Sequence, residues 1–190
     1  MSAARSRPRT LLRTLIDAAV FLAALAMVVF TAYRAGWLAP EQGNFIAVDG
    51  DSLRKGGRDY RLHAIDAPEL RQNCKTASGR DYSCGHEAHR ALRQLVTGRI
   101  VDCRIVDTDR YRRRVSTCSA GTLDINAEMV RLGWAVAYRN HGLGYVGPEN
   151  AAKRARRGVW QGPFQQPEQW RAEHRNTLIQ SGLGADVQPD

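Results

Sequence analysis

No Cys-x-x-Cys pair and no His-Glu-x-x-His segment occurs in the sequence, which removes the common frameworks of a structural zinc site and of a zinc protease. His63, His86, His89, His141 and His174 form no ligand set either. His86 and His89 are spaced to share a helix face, but no third ligand accompanies them. There is no internal repeat, so repeat architectures are excluded. Lysine is scarce beside arginine, a bias that codon usage explains and that carries no functional weight.

Charge and hydrophobicity are unevenly placed. With 190 residues, 43% hydrophobic and 25% charged, the chain has room for one domain with appendages. Five arginines and one aspartate fall in residues 1–37, so +4 of the formal +9 lies there and +5 remains for the rest. A basic surface favours a polyanionic partner through counterion release, without identifying one. Arg5, Arg7, Arg9 and Arg13 precede an apolar run from Ala18 to Tyr33. Read from Thr14 to Leu38, this stretch is long enough for a hydrocarbon core of ~30 Å at ~1.5 Å per residue. The arginine block on one side predicts a basic cytoplasmic segment (residues 1–13) and a transmembrane signal anchor (residues 14–38). The remainder is then delivered to the periplasmic side of a bacterial inner membrane. Secretion after signal cleavage is the alternative, but Thr31-Ala32-Tyr33-Arg34 offers no small-x-small site.

Four cysteines agree with export. Strand-like segments at Ile100–Val106 and Arg113–Ser119 flank the turn Asp107–Arg112. Cys103 and Cys118 stand equally far from the Arg110–Tyr111 pair and should face each other across a hairpin. Cys74 and Cys84 then close the loop between them.

Helical periodicity marks Glu87–Thr97, with Ala88, Leu92, Leu95 and Val96 inward, and Asp124–Leu132, with Ile125, Met129, Val130 and Leu132 inward. Pro148 begins a third helix, with Ala151, Ala152 and Ala155 inside and Gly158 ending it. Trp134–Tyr138 reads as a short strand, Trp160 as a core plug, and Glu168–His174 as a short helix packing through Trp170. Residues from Asn176 onward have the composition of a disordered tail. Strands first with helices after give an α+β fold, most simply a small Greek-key barrel with helical cover.

The chemistry concentrates in Val48–Glu69. Two strand-like segments flank Lys55-Gly56-Gly57-Arg58, a hairpin turn signal. Pairing them brings the carboxylates of Asp51, Asp66 and Glu69 near one another, with Arg61 beside them. Crowded carboxylates and carbonyls suit a hard cation such as Ca²⁺, and a neighbouring guanidinium is suited to fork onto a phosphate. Taken singly, Asp49–Asp51 reads equally as a solvated turn and Arg61 as a surface ion pair. Arg61 and Asp66 also have opposite parity on a regular strand, so a bend or bulge between them is required, or Asp66 must leave the strand, which Ala67-Pro68 favours.

Four segments, Val48–Ser52, Arg61–Glu69, Thr108–Arg114 and Asn126–Ala135, resemble the signature segments of the thermonuclease family of staphylococcal-nuclease-like domains, in order and spacing. The resemblance covers about residues 43–162, within a domain set at 39–164 and followed by a short helix and tail at 165–190. It implies a five-stranded OB-fold Greek-key barrel with three helices, and a calcium-dependent endonuclease acting on DNA, with RNA left open as a substrate; a monomer is expected.

Residue by residue, the resemblance implies that Asp51, Asp66 and the carbonyl of Ala67 hold the metal. Glu69 activates water, Arg61 and Arg113 clamp the scissile phosphate, and Arg110, Tyr111 and Tyr138 contact the nucleotide. Three departures stand out. Threonine is usual at Ala67, glycine at Arg112 and a second tyrosine at Asn140. Glycine at 112 implies a positive φ, so an arginine there either bears strain or changes the turn, leaving Arg112 and Arg114 as rivals to Arg113. A catalytically silent barrel that binds nucleic acid or protein is the alternative function. The retained carboxylates and arginines favour the enzyme.

Overall fold

The computed structural model describes residues 9–34 and 40–174. The first residues of the basic segment, the stretch from 35 to 39 and the tail from 175 onward lie outside the described residues. The chain divides into two units, Met1–Pro40 and Glu41–Asp190.

The first unit holds one helix, α1 (Arg9–Arg34). Its apolar stretch, Leu12–Thr31, is 20 residues long and wholly exposed, and by length and composition it suffices to cross a membrane.

The second unit is mixed α+β. Its main sheet is built from β1 (Glu41–Gly43), β2 (Ile46–Ala47), β3 (Ser52–Lys55) and β4 (Arg58–Leu62), and from β8 (Val101–Thr108), β9 (Arg114–Ala120) and β10 (Leu123–Asp124). Two short pairs accompany it: β5 (Ile65–Asp66) with β11 (Val136–Ala137), and β6 (Cys74–Lys75) with β7 (Asp81–Tyr82). The strand order is β1-β8-β9-β4-β3-β2, with β10 on β9. Only residues 44 and 45 separate β1 from β2, and β10 is a two-residue extension. Five strands therefore carry the curled sheet, as the OB-fold reading requires. β4 runs parallel to β9 and antiparallel to β3. Lys55 and Arg58 pair across a turn in which Gly56 and Gly57 both have positive φ, the conformation a tight two-residue hairpin demands.

The helices are α2 (Cys84–Val96), α3 (Ile125–Arg131) and α4 (Val146–Arg154), and residues 167–174 are also helical. Leu53, Tyr60, Leu62, Ile65, Leu92, Val96, Ile125, Met129 and Val130 fill the main core, each at most 2% exposed. Burial of such a side chain typically contributes ~1.5–3 kcal/mol. Asp124 caps α3, accepting from the Ala127 amide at 2.9 Å.

Two helix expectations need correction. α2 begins at Cys84, three residues earlier than its periodicity indicates, because Cys84 is held by its disulfide. α4 spans Val146–Arg154, so Ala155 falls past its end and is exposed, while Glu149 and Ala152 take the buried positions. The strand expected over Trp134–Tyr138 is confined to Val136–Ala137.

Both disulfides have the expected pairing. Cys103 and Cys118 oppose each other in register, and Cys74 joins Cys84. The second bond sits in a small satellite core with Val159, Trp160 and Phe164.

Candidate functional site

The turn before β3 positions the first acid. The Asp49 carboxylate accepts from the Asp51 amide at 2.9 Å, and the Val48 amide donates to the Ser52 carbonyl at 2.8 Å. Between them Gly50 lies so close to its surroundings that a Cβ there would sit 2.7 Å from the methyls of Ala67 and Ala88. Glycine at this position lets the turn press against α2 and aims Asp51 inward. Asp51 is only 4% exposed, with Oδ1 accepting from the Ser52 hydroxyl at 3.1 Å and Oδ2 from the Ala67 amide at 3.2 Å.

Ser52 faces Arg61 across the hairpin. The Arg61 guanidinium bridges two acids, with Nη2 at 3.0 Å from Asp51 Oδ2 and 2.8 Å from Asp66 Oδ1. The parity conflict is resolved by a bend at His63-Ala64, where Ala64 takes φ +58°. The break thus precedes Asp66, which remains in β5, and does not lie at Ala67-Pro68. Asn126 secures this bend: wholly buried, it donates through Nδ2 to the His63 carbonyl at 3.0 Å and the Ser116 carbonyl at 3.2 Å. Its Oδ1 accepts from the Cys118 amide at 3.0 Å. Asp66 then pairs with Val136, and the Tyr138 amide donates to the Ala64 carbonyl at 2.9 Å, bringing Tyr138 to the same side.

Glu69 stands in the turn beyond Pro68. Its amide donates to the buried Gln72 side chain at 3.2 Å, and its carboxylate is partly exposed. The β8–β9 turn is organised by Asp109, whose Oδ1 accepts from the amides of Tyr111 and Arg113, both at 2.9 Å. Its Oδ2 accepts from Arg113 Nε at 2.8 Å. Burial works against the Asp109 charge, but the Arg113 side chain and amide overcome it and hold the carboxyl below its ordinary range. Arg112 keeps the left-handed conformation, at φ +64°, so the turn survives the loss of glycine. Arg114 pairs with Glu41 and, at 3.1 Å, with the Tyr60 hydroxyl.

A cleft of about 560 Å³ gathers these parts. Arg61, Asp66, Glu69, Arg110, Tyr111, Arg113 and Tyr138 all line it, Asp51 backs it through Arg61, and Arg112 and Arg114 are not among its lining residues. The Tyr111 ring has the Arg110 guanidinium 4.8 Å away and that of Arg113 at 5.5 Å. His141 adds a ring 5.1 Å from Tyr138, a contact that the isolated histidine did not announce in sequence.

One further residue enters unannounced. Arg171, on helix 167–174, donates from Nη1 to Glu69 Oε1 at 2.8 Å and Asp66 Oδ1 at 3.0 Å, and from Nη2 to Asp66 Oδ2 at 2.9 Å. No short motif flags an arginine so far along the chain.

The electrostatics are unbalanced. Burial pushes Asp66 above its usual range, and Asp51 adds to the rise against the pull of Arg171 and Arg61. Burial likewise raises Asp51, opposed by Arg61. These hard oxygen donors suit a divalent cation, which would relieve the repulsion between two buried carboxylates. Among the described residues no three acidic, histidine or cysteine side chains close into a ligand cage; guanidinium groups take the acids instead.

The family described as staphylococcal nuclease homologues matches residues 59–162, more than half of the chain. The chain belongs to the staphylococcal nuclease family. ParB of Escherichia coli is 32% identical to it over 177 residues, 83% of this chain and 94% of that protein. A probable staphylococcal-like nuclease of Oryza sativa subsp. japonica, CAN3, is 30% identical over 61% of this chain but only 29% of its own length. An uncharacterized endonuclease of Haemophilus influenzae is 31% identical over 67% of this chain and 70% of its own. The staphylococcal nuclease match takes in Arg61, Asp66, Ala67, Glu69, the β8–β9 turn and all four cysteines, and supports a nuclease function. Asp51 and Arg171 lie outside it.

Proposed function

We propose that this protein is a membrane-anchored, calcium-dependent nuclease hydrolysing phosphodiester bonds of DNA, and of RNA as a second substrate, outside the cytoplasm. The observation that carries the reading is Arg61 bridging buried Asp51 and Asp66 in a cleft shared with Glu69 and Arg113. Asp51, Asp66 and the Ala67 carbonyl would hold the cation. When bound, Ca²⁺ supplies Lewis-acid polarisation of a phosphate oxygen.

The protein's own groups do the rest. Glu69 takes a proton from the attacking water, a task typically worth ~10²–10⁴-fold. Arg61 and Arg113 fork onto the scissile phosphate and stabilise the charge that grows on it. Arg110 and Tyr111 meet a neighbouring phosphate, and Tyr138 packs on the nucleotide. The helix α1 serves as a signal anchor, its arginine-rich end in the cytoplasm, and the two disulfides suit an oxidising compartment. A monomer suffices, since each assigned residue lies on one chain.

The test is incubation of the full-length protein in detergent with DNA or RNA, in Ca²⁺ and in chelator. Cleavage should need Ca²⁺. Nucleic-acid binding with no cleavage in either condition would overturn the enzyme in favour of a silent binding barrel.

A further inference from the structure

The C-terminal helix enters the carboxylate cluster from outside the matched family segment. Arg171 takes both oxygens of Asp66 and one of Glu69 in three charge-assisted hydrogen bonds, which are shorter and stronger than neutral ones. Burial disfavours its charge, but the bonds to Asp66 and Glu69 more than compensate and raise its pKa above the ordinary arginine value.

The helix is rooted close to the site. Gln72, wholly buried, donates from Nε2 to the Gln165 carbonyl at 2.7 Å while its Oε1 accepts from the Glu69 amide. One side chain therefore holds both the base-bearing turn and the start of the segment. Beyond that root Pro167 is buried, and the segment borders a hollow of about 250 Å³ lined by Asp66, Tyr138, Arg139, Gln166 and Glu168 among others. Trp170 stacks on His174 of its own helix, with centroids 3.7 Å apart. The helix is thus held at its root, at the buried Pro167 and at Arg171, while Glu168, Gln169 and residues 172–174 are exposed.

With Arg171 on both oxygens of Asp66 and Arg61 also on Oδ1, a cation ligated by Asp66 would have to sit against the positive charge of the Arg171 guanidinium. An oxygen of Glu69 directed at Nη1 is not directed at a water.

We infer that residues 165–174 form an autoinhibitory strap in which Arg171 occupies the carboxylate cluster in place of a divalent cation, so that cation binding and strap release are coupled. The inference rests on the cation site proposed above. A strap that must leave before the ion enters weakens apparent affinity by the fraction of molecules already open.

The experiment uses the full-length protein in detergent, titrated with CaCl₂ by calorimetry, with amide hydrogen exchange followed across residues 165–174. In the wild type, Ca²⁺ should raise exchange in that segment. Arg171→Ala should bind Ca²⁺ about tenfold more tightly or better, the size of one charge-assisted contact removed from a competitor, and should exchange fast without the ion. Arg171→Lys keeps the charge but loses the fork, and should fall between the two. Equal or weaker Ca²⁺ binding by Arg171→Ala, or wild-type exchange indifferent to Ca²⁺, would overturn the strap while leaving the cation site standing. No Ca²⁺ binding by either protein would overturn the cation site itself, and the strap's coupling with it. The wild-type exchange measurement decides the matter even if a variant misfolds.

Discussion

Glu149 and Asp66 are both buried acids with two cationic partners each, yet the protein treats their charges in opposite ways. Glu149 accepts from the Ala137 amide at 3.1 Å, Arg139 Nη2 at 2.7 Å and Lys153 Nζ at 2.8 Å. Burial opposes its charge, but Lys153 and Arg139 more than compensate and hold the carboxyl below its ordinary range. Asp66 has Arg61 and Arg171, yet burial and neighbouring Asp51 keep it above that range. The difference lies in the neighbours. Glu149 is one acid among cations and binds β11 to α4. Asp51, Asp66 and Glu69 are three acids sharing two guanidinium groups, and that surplus of negative charge is what a catalytic cation would neutralise. A cluster in which cations match the acid makes structure, whereas a surplus of like charge costs stability.

The sharpest way to separate the two clusters is activity. Glu69→Gln should lower kcat by at least ~10²-fold, the low end for a lost general base, with saturating Ca²⁺ giving no rescue. Steady-state kinetics across a Ca²⁺ series would check this, and recovery at high Ca²⁺ would make Glu69 a ligand instead. In the same assay Arg113→Lys should lose most turnover, because a point ammonium does not reproduce the planar fork. Arg112→Gly should keep it, since the left-handed turn suits glycine. The reverse outcome would move the clamp by one residue.

Stability should invert the ranking. Glu149→Ala should cost ~1–3 kcal/mol in urea unfolding, the usual range for a buried donor left without its acceptor. Asp51→Asn, measured in chelator, should stay within ~1 kcal/mol of wild type or exceed it, because the charge removed is a strained one. If Asp51→Asn unfolds as readily as Glu149→Ala, the cluster is structural and the contrast fails.

The smallest effect is in pH. A carboxyl held below its unfolded pKa contributes stability that is present above the unfolded value and lost as pH falls through the folded one. The advantage of wild type over Glu149→Gln should therefore be full at neutral pH and fade with acidification below the ordinary glutamate range. An advantage that grows on acidification would contradict the assigned direction.

Much of this was legible in the sequence because it depends on local chemistry. Lys55-Gly56-Gly57-Arg58 specifies its own turn, and the equal spacing of Cys103 and Cys118 from the Arg110–Tyr111 pair specifies their pairing. Asp51, Arg61 and Asp66 are close in sequence, so one hairpin nearly suffices to join them. What was not legible depends on distance along the chain. The bend at Ala64 is secured by Asn126 from α3, and Arg171 reaches Asp66 across 105 residues. Glu149 sits on a helix whose alanines suggested an apolar inner face, and only the approach of β11 shows why an acid is kept there.

The β8–β9 hairpin is, in mechanical terms, a cantilever. On β8, Val101 and Cys103 are buried whereas Arg104 to Thr108 stand exposed, and β9 is paired with β4 as far as Arg114, so the free end is the tip that carries Arg110 and Tyr111. Cys103–Cys118 clamps its root together with the β4–β9 ladder, and Asp109 stiffens its tip. A lever loosened at its root moves most at its end. Reducing this bond should therefore cost aim before it costs fold, with KM for a long polyanion rising ahead of any loss in helix content.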